Sequence, residues 1–175
     1  MKRYWYKFRV KYGKVLDTGK QKKVSEEYLV DAESFTETEK RATKAATDLI
    51  GTRDFDITAI SREPITEILH EEENEDNHWY KTVVSLVSED AETGVKKFSP
   101  QTIYVNASNT TEADRLLREH MSDTLSDWEV KSITETKVLG VLGYKGSQRQ
   151  LKYYRKESTR EDGSRTSGGT VHPCF

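Results

Sequence analysis

Tyr4-Trp5-Tyr6-Lys7-Phe8-Arg9-Val10-Lys11-Tyr12 alternates strictly between two kinds of side chain, and its Trp5-Tyr6-Lys7 returns later as Trp79-Tyr80-Lys81. The period of two marks a strand with one buried face, here aromatic, and one basic face. The return marks an internal repeat, which has to be recognised before any element is placed. Further matches keep the same order. Asp17-Thr18-Gly19 comes back as Glu92-Thr93-Gly94, and Tyr28-Leu29-Val30-Asp31-Ala32 as Ile103-Tyr104-Val105-Asn106-Ala107. Thr36-Glu37 comes back as Thr111-Glu112, and Phe55-Asp56-Ile57 as Trp128-Glu129-Val130.

Within the first copy, Gly13 closes the strand, Asp17-Thr18-Gly19 reverses the chain, and residues 22–30 return as its hairpin partner. Ser34 and Glu37 then have the spacing of a capping box, in which each side chain satisfies a backbone N–H left open at a helix start. The helix runs to about Ile50 with Ala42, Ala45, Ala46 and Leu49 on its buried stripe, and Gly51 stops it. A strand begins at Phe55 and Ile57, bends near Pro64 and resumes over residues 65–69. In the second copy Asn109 and Glu112 supply the cap, and Ala113, Leu116, Leu117, His120, Met121 and Leu125 form the stripe.

The expected fold is therefore α+β, with two tandem strand-strand-helix-strand repeats, antiparallel sheets and an approximate twofold between the repeats that places Trp5 and Trp79 equivalently. Repeat one occupies residues 1–70, an acidic linker 71–78, repeat two 79–143, and a basic, flexible tail 144–175. A short ordered stretch is expected in the tail over residues 151–154. One helix cannot enclose a core over a small sheet alone, so the repeats are expected to complete each other.

Composition narrows the function. Hydrophobic residues make up 34% and charged residues 33% of the 175, and no apolar run reaches the roughly 18 residues of a membrane helix. Cys174 is the single cysteine, so no internal disulfide framework exists, and with no secretory apolar segment at the start a cytoplasmic protein is the expectation. The net charge of -2 hides an asymmetry. Lys2, Arg3, Lys7, Arg9, Lys11, Lys14, Lys20, Lys22 and Lys23 face only Asp17 in the opening segment, and the tail is again basic, so the middle is acidic.

The ordered set from Trp5-Tyr6-Lys7 through Tyr28-Leu29-Val30-Asp31-Ala32, Ser34-Phe35-Thr36-Glu37 and Phe55-Asp56-Ile57, then Trp79-Tyr80-Lys81 and Asp127-Trp128-Glu129-Val130-Lys131-Ser132-Ile133, resembles a domain-of-unknown-function family. That family occurs in Bacteroidota and in their phages and mobile elements, and the resemblance covers about residues 4–142. It implies a bacterial host-cell cytoplasm and carries no activity, so no catalytic residue follows from it.

Cations interleaved with aromatics suit a nucleic acid, because Lys and Arg neutralise phosphates while flat rings stack on bases. Arg3, Trp5, Lys7, Arg9 and Lys11 on the strand, with Lys20, Lys22 and Lys23 on its turn and partner, form the first candidate surface. Lys152, Tyr153, Tyr154, Arg155 and Lys156 in the tail form the second. The competing reading is a solvated sheet face whose lysines prevent edge pairing, and for the tail, docking on the protein's own acidic middle. Trp5 and Trp79 are read first as core-closing residues and second as stacking platforms.

His70, His78, His120 and His172 have no metal-site spacing, and His120 is read as a packed or rim residue. Cys174 and His172 have no rigid element to hold them, and Gly140, Gly143 and Gly146 lack the helix a phosphate loop requires. The expectation is a protein that is not an enzyme and has no cofactor. It binds nucleic acid, single strands favoured since no recognition helix is evident. A protein-interaction or virion accessory role is the alternative, with a protein partner or homo-oligomer, and a nucleotide-sequestering small-ligand binder is the third.

Overall fold

In a computed structural model, which describes residues 2–70 and 76–143, the alternating segment becomes β1 (Tyr4–Val15) and its hairpin partner β2 (Gln21–Ala32). They are followed by α1 (Phe35–Ile50), β3 (Phe55–Glu63) and β4 (Ile65–Leu69). The same succession then recurs as β5 (His78–Glu89), β6 (Lys96–Ala107), α2 (Thr110–Met121), β7 (Asp127–Glu135) and β8 (Val138–Leu142). The fold is α+β with two four-stranded sheets and two helices. Residues 71–75 of the expected linker and the tail from 144 lie outside the described residues, while His78 already belongs to β5.

The helices start and stop where local chemistry dictates. The Ser34 side chain accepts from the Glu37 N–H, and Asn109 does the same for Glu112. Each glutamate reaches back one residue beyond the cap, to the Glu33 N–H at 2.8 Å and the Ser108 N–H at 2.6 Å. Gly51 ends α1 at φ 71, a left-handed conformation suited to glycine. The α2 stripe is shorter than its spacing suggests. Ala113, Leu116, Leu117 and Met121 are buried, but the helix ends at Met121, and Leu125 is fully exposed.

The sheets correct one expectation. They are mixed, with orders β3-β1-β2-β8 and β4-β6-β5-β7. In each, three strands are antiparallel and a short fourth runs parallel: β8 beside β2, with Leu29 opposite Val141, and β4 beside β6, with Ile68 opposite Tyr104. The strand that resumes after Pro64 therefore does not extend the sheet of β3. Among the described residues, one compact unit is drawn from the chain up to Glu63 and again from Lys137, the other from Pro64–Thr136, so each sheet takes its short parallel strand from the opposite half of the sequence.

Each unit has its own core. In the first, Tyr6, Phe8 and Val10 of β1 and Tyr28, Val30 and Ala32 of β2 pack under Ala42 and Ala46 of α1, with Leu142 of β8. In the second, Tyr80, Val84, Ile103, Val105 and Ala107 pack under Ala113, Leu116, Leu117 and Met121 of α2. The outer strands β3 and β7 each carry a bulge, at Thr58 and Lys131, where the register against β1 and β5 slips. Bulges with nearby charge blunt an open edge against further pairing.

Candidate nucleic-acid interface

The basic side of β1 forms as the alternation requires, with Trp5, Lys7, Arg9 and Lys11 on the face away from α1. Register decides what that face can do. Antiparallel pairing sets Trp5 opposite Asp31, Arg9 opposite Glu27, and Trp5 opposite Glu63 on the other side. Side chains directly or diagonally across a pair are neighbours, so the acids of β2 and β3 meet the cations of β1. Arg9 donates to Glu27 from Nε at 3.0 Å, and Lys7 Nζ lies 3.2 Å from Glu63.

Arg3 is engaged most fully. Its Nε donates to Asp31 at 3.0 Å, and its two terminal nitrogens reach Glu33 at 3.3 Å and Glu37 at 2.7 Å. Arg41 of α1 adds a second guanidinium on Asp31 Oδ1 at 2.7 Å and on the Asp31 carbonyl, and it donates to the Gly143 carbonyl at 3.0 Å. Burial pulls the Arg3 pKa down, but the hydrogen bonds it donates to Glu37 and Asp31, with their negative charge, outweigh it and hold it above its ordinary value. The Glu37 carboxyl is held below its own, first by the Glu33 N–H and then, against burial, by Arg3 and Arg41. This network ties β1, β2 and α1 together.

The remaining lysines are different. Lys11, Lys20, Lys22 and Lys23 are exposed, and none makes an ion pair among the described residues. Lys20, Lys22 and Lys23 gather at the far end of the β1–β2 hairpin, where Gly13 faces Lys23, Lys14 faces Lys22 and Val15 faces Gln21, whereas Lys11 lies within the three-stranded part, opposite Ser25 and Asp56. Beyond Tyr12 the pairing with β3 has stopped, so this end is a two-stranded ribbon on that side. Trp5 is half-buried near the opposite end of the strand, roughly 30 Å away at about 3.4 Å per residue. Of the sequence-derived surface, the structure keeps Lys20, Lys22 and Lys23 together, pairs Arg3, Lys7 and Arg9 with carboxylates, and separates Trp5 from the tip lysines. Lys152, Tyr153, Tyr154, Arg155 and Lys156 lie outside the described residues.

Trp79 differs from Trp5 in being buried, with the His70 ring stacked at 6.0 Å and its carbonyl accepting from Thr136 N–H and Oγ1. Two histidines pair with carboxylates: His78 Nδ1 with Glu135 at 2.9 Å, and His120 Nε2 with Glu67 at 2.7 Å. His120 is thus a rim residue bridging α2 to β4. No group of three or more His, Cys, Asp or Glu able to hold a metal ion occurs among the described residues, and no helix among them is long and apolar enough to cross a membrane.

One polar cluster was not anticipated. Glu26 is buried on the apolar face, where its two carboxylate oxygens accept from the Tyr12 hydroxyl at 2.8 Å and the Tyr28 hydroxyl at 2.6 Å. The signal was present, because an acidic residue takes the apolar phase in the alternation Val24, Glu26, Tyr28, Val30. With each oxygen satisfied, Glu26 holds the far end of the hairpin together instead of offering an open acceptor. No curated protein and no solved structure matches the chain. Residues 4–144, which span both sheets and both helices, match the family described as a domain of unknown function (DUF4494), and the chain belongs to that family.

Proposed function

We propose that the protein is a non-enzymatic binding protein that holds nucleic acid, single strands favoured, through the lysine-bearing tip of its first hairpin and its basic tail. The observation that carries this reading is that Lys20, Lys22 and Lys23 share one hairpin end and make no ion pair among the described residues. The second hairpin, whose turn is one residue longer, bears Glu89, Asp90 and Glu92 beside Lys96 and Lys97. A lysine-rich tip is thus no requirement of the hairpin. Mobile cations on an exposed ribbon suit phosphate contacts, which carry no base preference. A phage or mobile-element origin, a bacterial cytoplasm and descent of the two halves from one duplicated unit belong to the same reading. The duplication is supported by the matching sheet orders and strand lengths.

The test is fluorescence anisotropy of the full chain with a labelled single-stranded oligonucleotide across a salt series. Replacing Lys20, Lys22 and Lys23 by Ala is expected to reduce the slope of log affinity against log salt by about 2, at roughly 0.7 per lost phosphate contact. Replacing Lys7 and Arg9, whose charges Glu63 and Glu27 already hold, is expected to leave it nearly unchanged. No binding by the parent at low salt would reject the reading. The alternative, a protein-interaction or accessory role, draws on exposed apolar residues at both hairpins, Val15 and Leu16 on one and Val95 and Phe98 on the other. A nucleotide-sequestering role has no particular observation in its favour.

A further inference from the structure

The turn of the first hairpin is closed by the backbone of Leu16, whose side chain can make no hydrogen bond to the turn. Leu16 donates its N–H to the Lys20 carbonyl at 2.8 Å, and its own carbonyl accepts from Gly19 at 2.8 Å, with Gly19 at φ 78. In the second hairpin the same closing position belongs to Asp90, whose N–H donates to Val95 at 3.0 Å and whose carbonyl accepts from Gly94 at 2.8 Å. There the side chain works for the turn. Asp90 Oδ1 accepts from the N–H groups of Glu92 at 3.0 Å and Thr93 at 2.9 Å, and these bonds hold its carboxyl below its ordinary pKa. Asp, Asn, Ser and Gly are the residues such turns favour, because a short polar side chain can satisfy the turn's own amides. Leu16 can do nothing of the kind.

An exposed leucine alone calls for no explanation, but its setting does. Leu16 is 39% exposed and the preceding Val15 63% exposed, at the end of a ribbon whose neighbouring Lys20, Lys22 and Lys23 are unpaired among the described residues. A complementary surface must therefore be apolar and lie beside fixed negative charge. Continuous duplex offers phosphates and polar groove edges. Where stacking is interrupted, at a gap or a junction between duplex and single strand, the flat face of the last base pair is uncovered a few ångströms from phosphates. Apolar side chains that wedge at base steps must ordinarily unstack them first; at an interruption that cost is already met.

We propose, on the basis of the nucleic-acid reading above, that the preferred ligand class is a gapped or junction-bearing nucleic acid, with Leu16 set against the uncovered base face and the tip lysines on the adjoining single-stranded backbone. Charge complementarity to the tip lysines, together with a flat apolar face beside the phosphates for Leu16, favours this occupant. The lysines supply affinity and the leucine supplies discrimination.

The experiment compares three probes with the full chain: a single strand, a dumbbell duplex closed at both ends, and the same dumbbell carrying a short gap. The parent is expected to bind the gapped probe about tenfold more tightly than either other probe, the low end of what burying one leucine side chain provides. Leu16→Asn restores a turn-compatible residue without changing charge, so the hairpin is expected to keep its thermal midpoint while the preference falls to within about twofold. Its salt dependence should match that of the parent. Equal binding of all three probes, or a preference that survives Leu16→Asn, would overturn the junction proposal and leave phosphate binding standing. No binding to any probe at low salt would overturn both. Leu16-dependent binding to vesicles of phosphatidylglycerol and phosphatidylcholine, without binding to the probes, would also overturn both and assign the tip to a lipid surface.

Discussion

Replacing Asp31 by Asn tests whether the ion network of the first unit is structural. Asp31 is 8% exposed and accepts from two guanidiniums, Arg3 at 3.0 Å and Arg41 at 2.7 Å, whose side chains are 20% and 24% exposed. Removing one partner of a fully buried pair costs about 3 to 5 kcal/mol, whereas exposed pairs contribute about 0 to 1 kcal/mol. Arg3 would keep Glu37 and Glu33, and Arg41 would keep two carbonyls, those of residue 31 and Gly143. The loss should fall between these limits, at about 2 kcal/mol. The second unit shows how to repair it. At the matching places Asn77 donates to Asn106 at 2.9 Å, and Leu116 stands on α2 where Arg41 stands on α1. Arg3→Asn, Asp31→Asn and Arg41→Leu combined remove the three charges centred on Asp31 and leave only the more exposed Glu33 and Glu37 without their guanidinium, and well-packed neutral replacements of buried ion sets are often close to neutral. The combined variant is therefore expected to recover at least half of what Asp31→Asn loses. Urea denaturation with an unchanged slope reads both values. If Asp31→Asn costs under about 0.5 kcal/mol, or if the combined variant is the least stable of all, the network does not have the role given to it.

Leu117 is fully buried beneath the second sheet, and Leu117→Ala is expected to cost about 2 to 5 kcal/mol by lost transfer energy and a residual cavity; an unaltered urea midpoint would show that α2 does not seal this core. The Glu112 carboxyl is held below its ordinary value, first by the Ser108 hydroxyl and then by the Ser108 N–H, against the upward pull of burial. Its stabilising contribution is therefore complete above the unfolded glutamate value, about 4, and disappears as pH falls through the lower folded value. Ser108→Ala is expected to raise the folded value and move the acid loss of stability to higher pH, which a titration followed by carboxyl NMR would register; an unmoved Glu112 titration would contradict this account.

Local features were legible because their causes lie within a few residues. The alternation from Tyr4 to Tyr12, the caps at Ser34 and Asn109 and the stop at Gly51 each depend on neighbours in the chain. The fourth strands were not legible in that way. Periodicity reports that residues 65–69 have a buried side, but not which strand they lie beside, and Pro64 marks a break without giving its direction. Leu125 failed for a related reason. It continues the spacing of Leu117 and Met121, yet Ser122 turns its side chain back onto the Glu119 carbonyl, and the Thr124 N–H closes on Met121. The candidate surface suffered most, because one strand read alone shows its cations and hides the acids across from them. Glu27, Asp31 and Glu63 become neighbours of Arg9, Arg3 and Lys7 only once register is fixed.

Apart from the short parallel strand, which comes last along the chain in one unit and first in the other, the two units present the same succession of strand, strand, helix and strand, so their positions can be compared. Where they differ by a polar cluster that closes on itself, both versions solve the same packing problem. Arg3, Asp31 and Arg41 stand against Asn77, Asn106 and Leu116, and Tyr12, Glu26 and Tyr28 stand against Leu86, Gln101 and Ile103. Such differences need no ligand, since every group in the charged version has a partner within its own unit. The hairpin tips do not fit that pattern. Leu16 leaves undone a turn function that Asp90 performs, and Lys20, Lys22 and Lys23 have no ion-pair partner among the described residues. The tip, and not the larger basic face of β1, is therefore where the proposed binding is to be tested first.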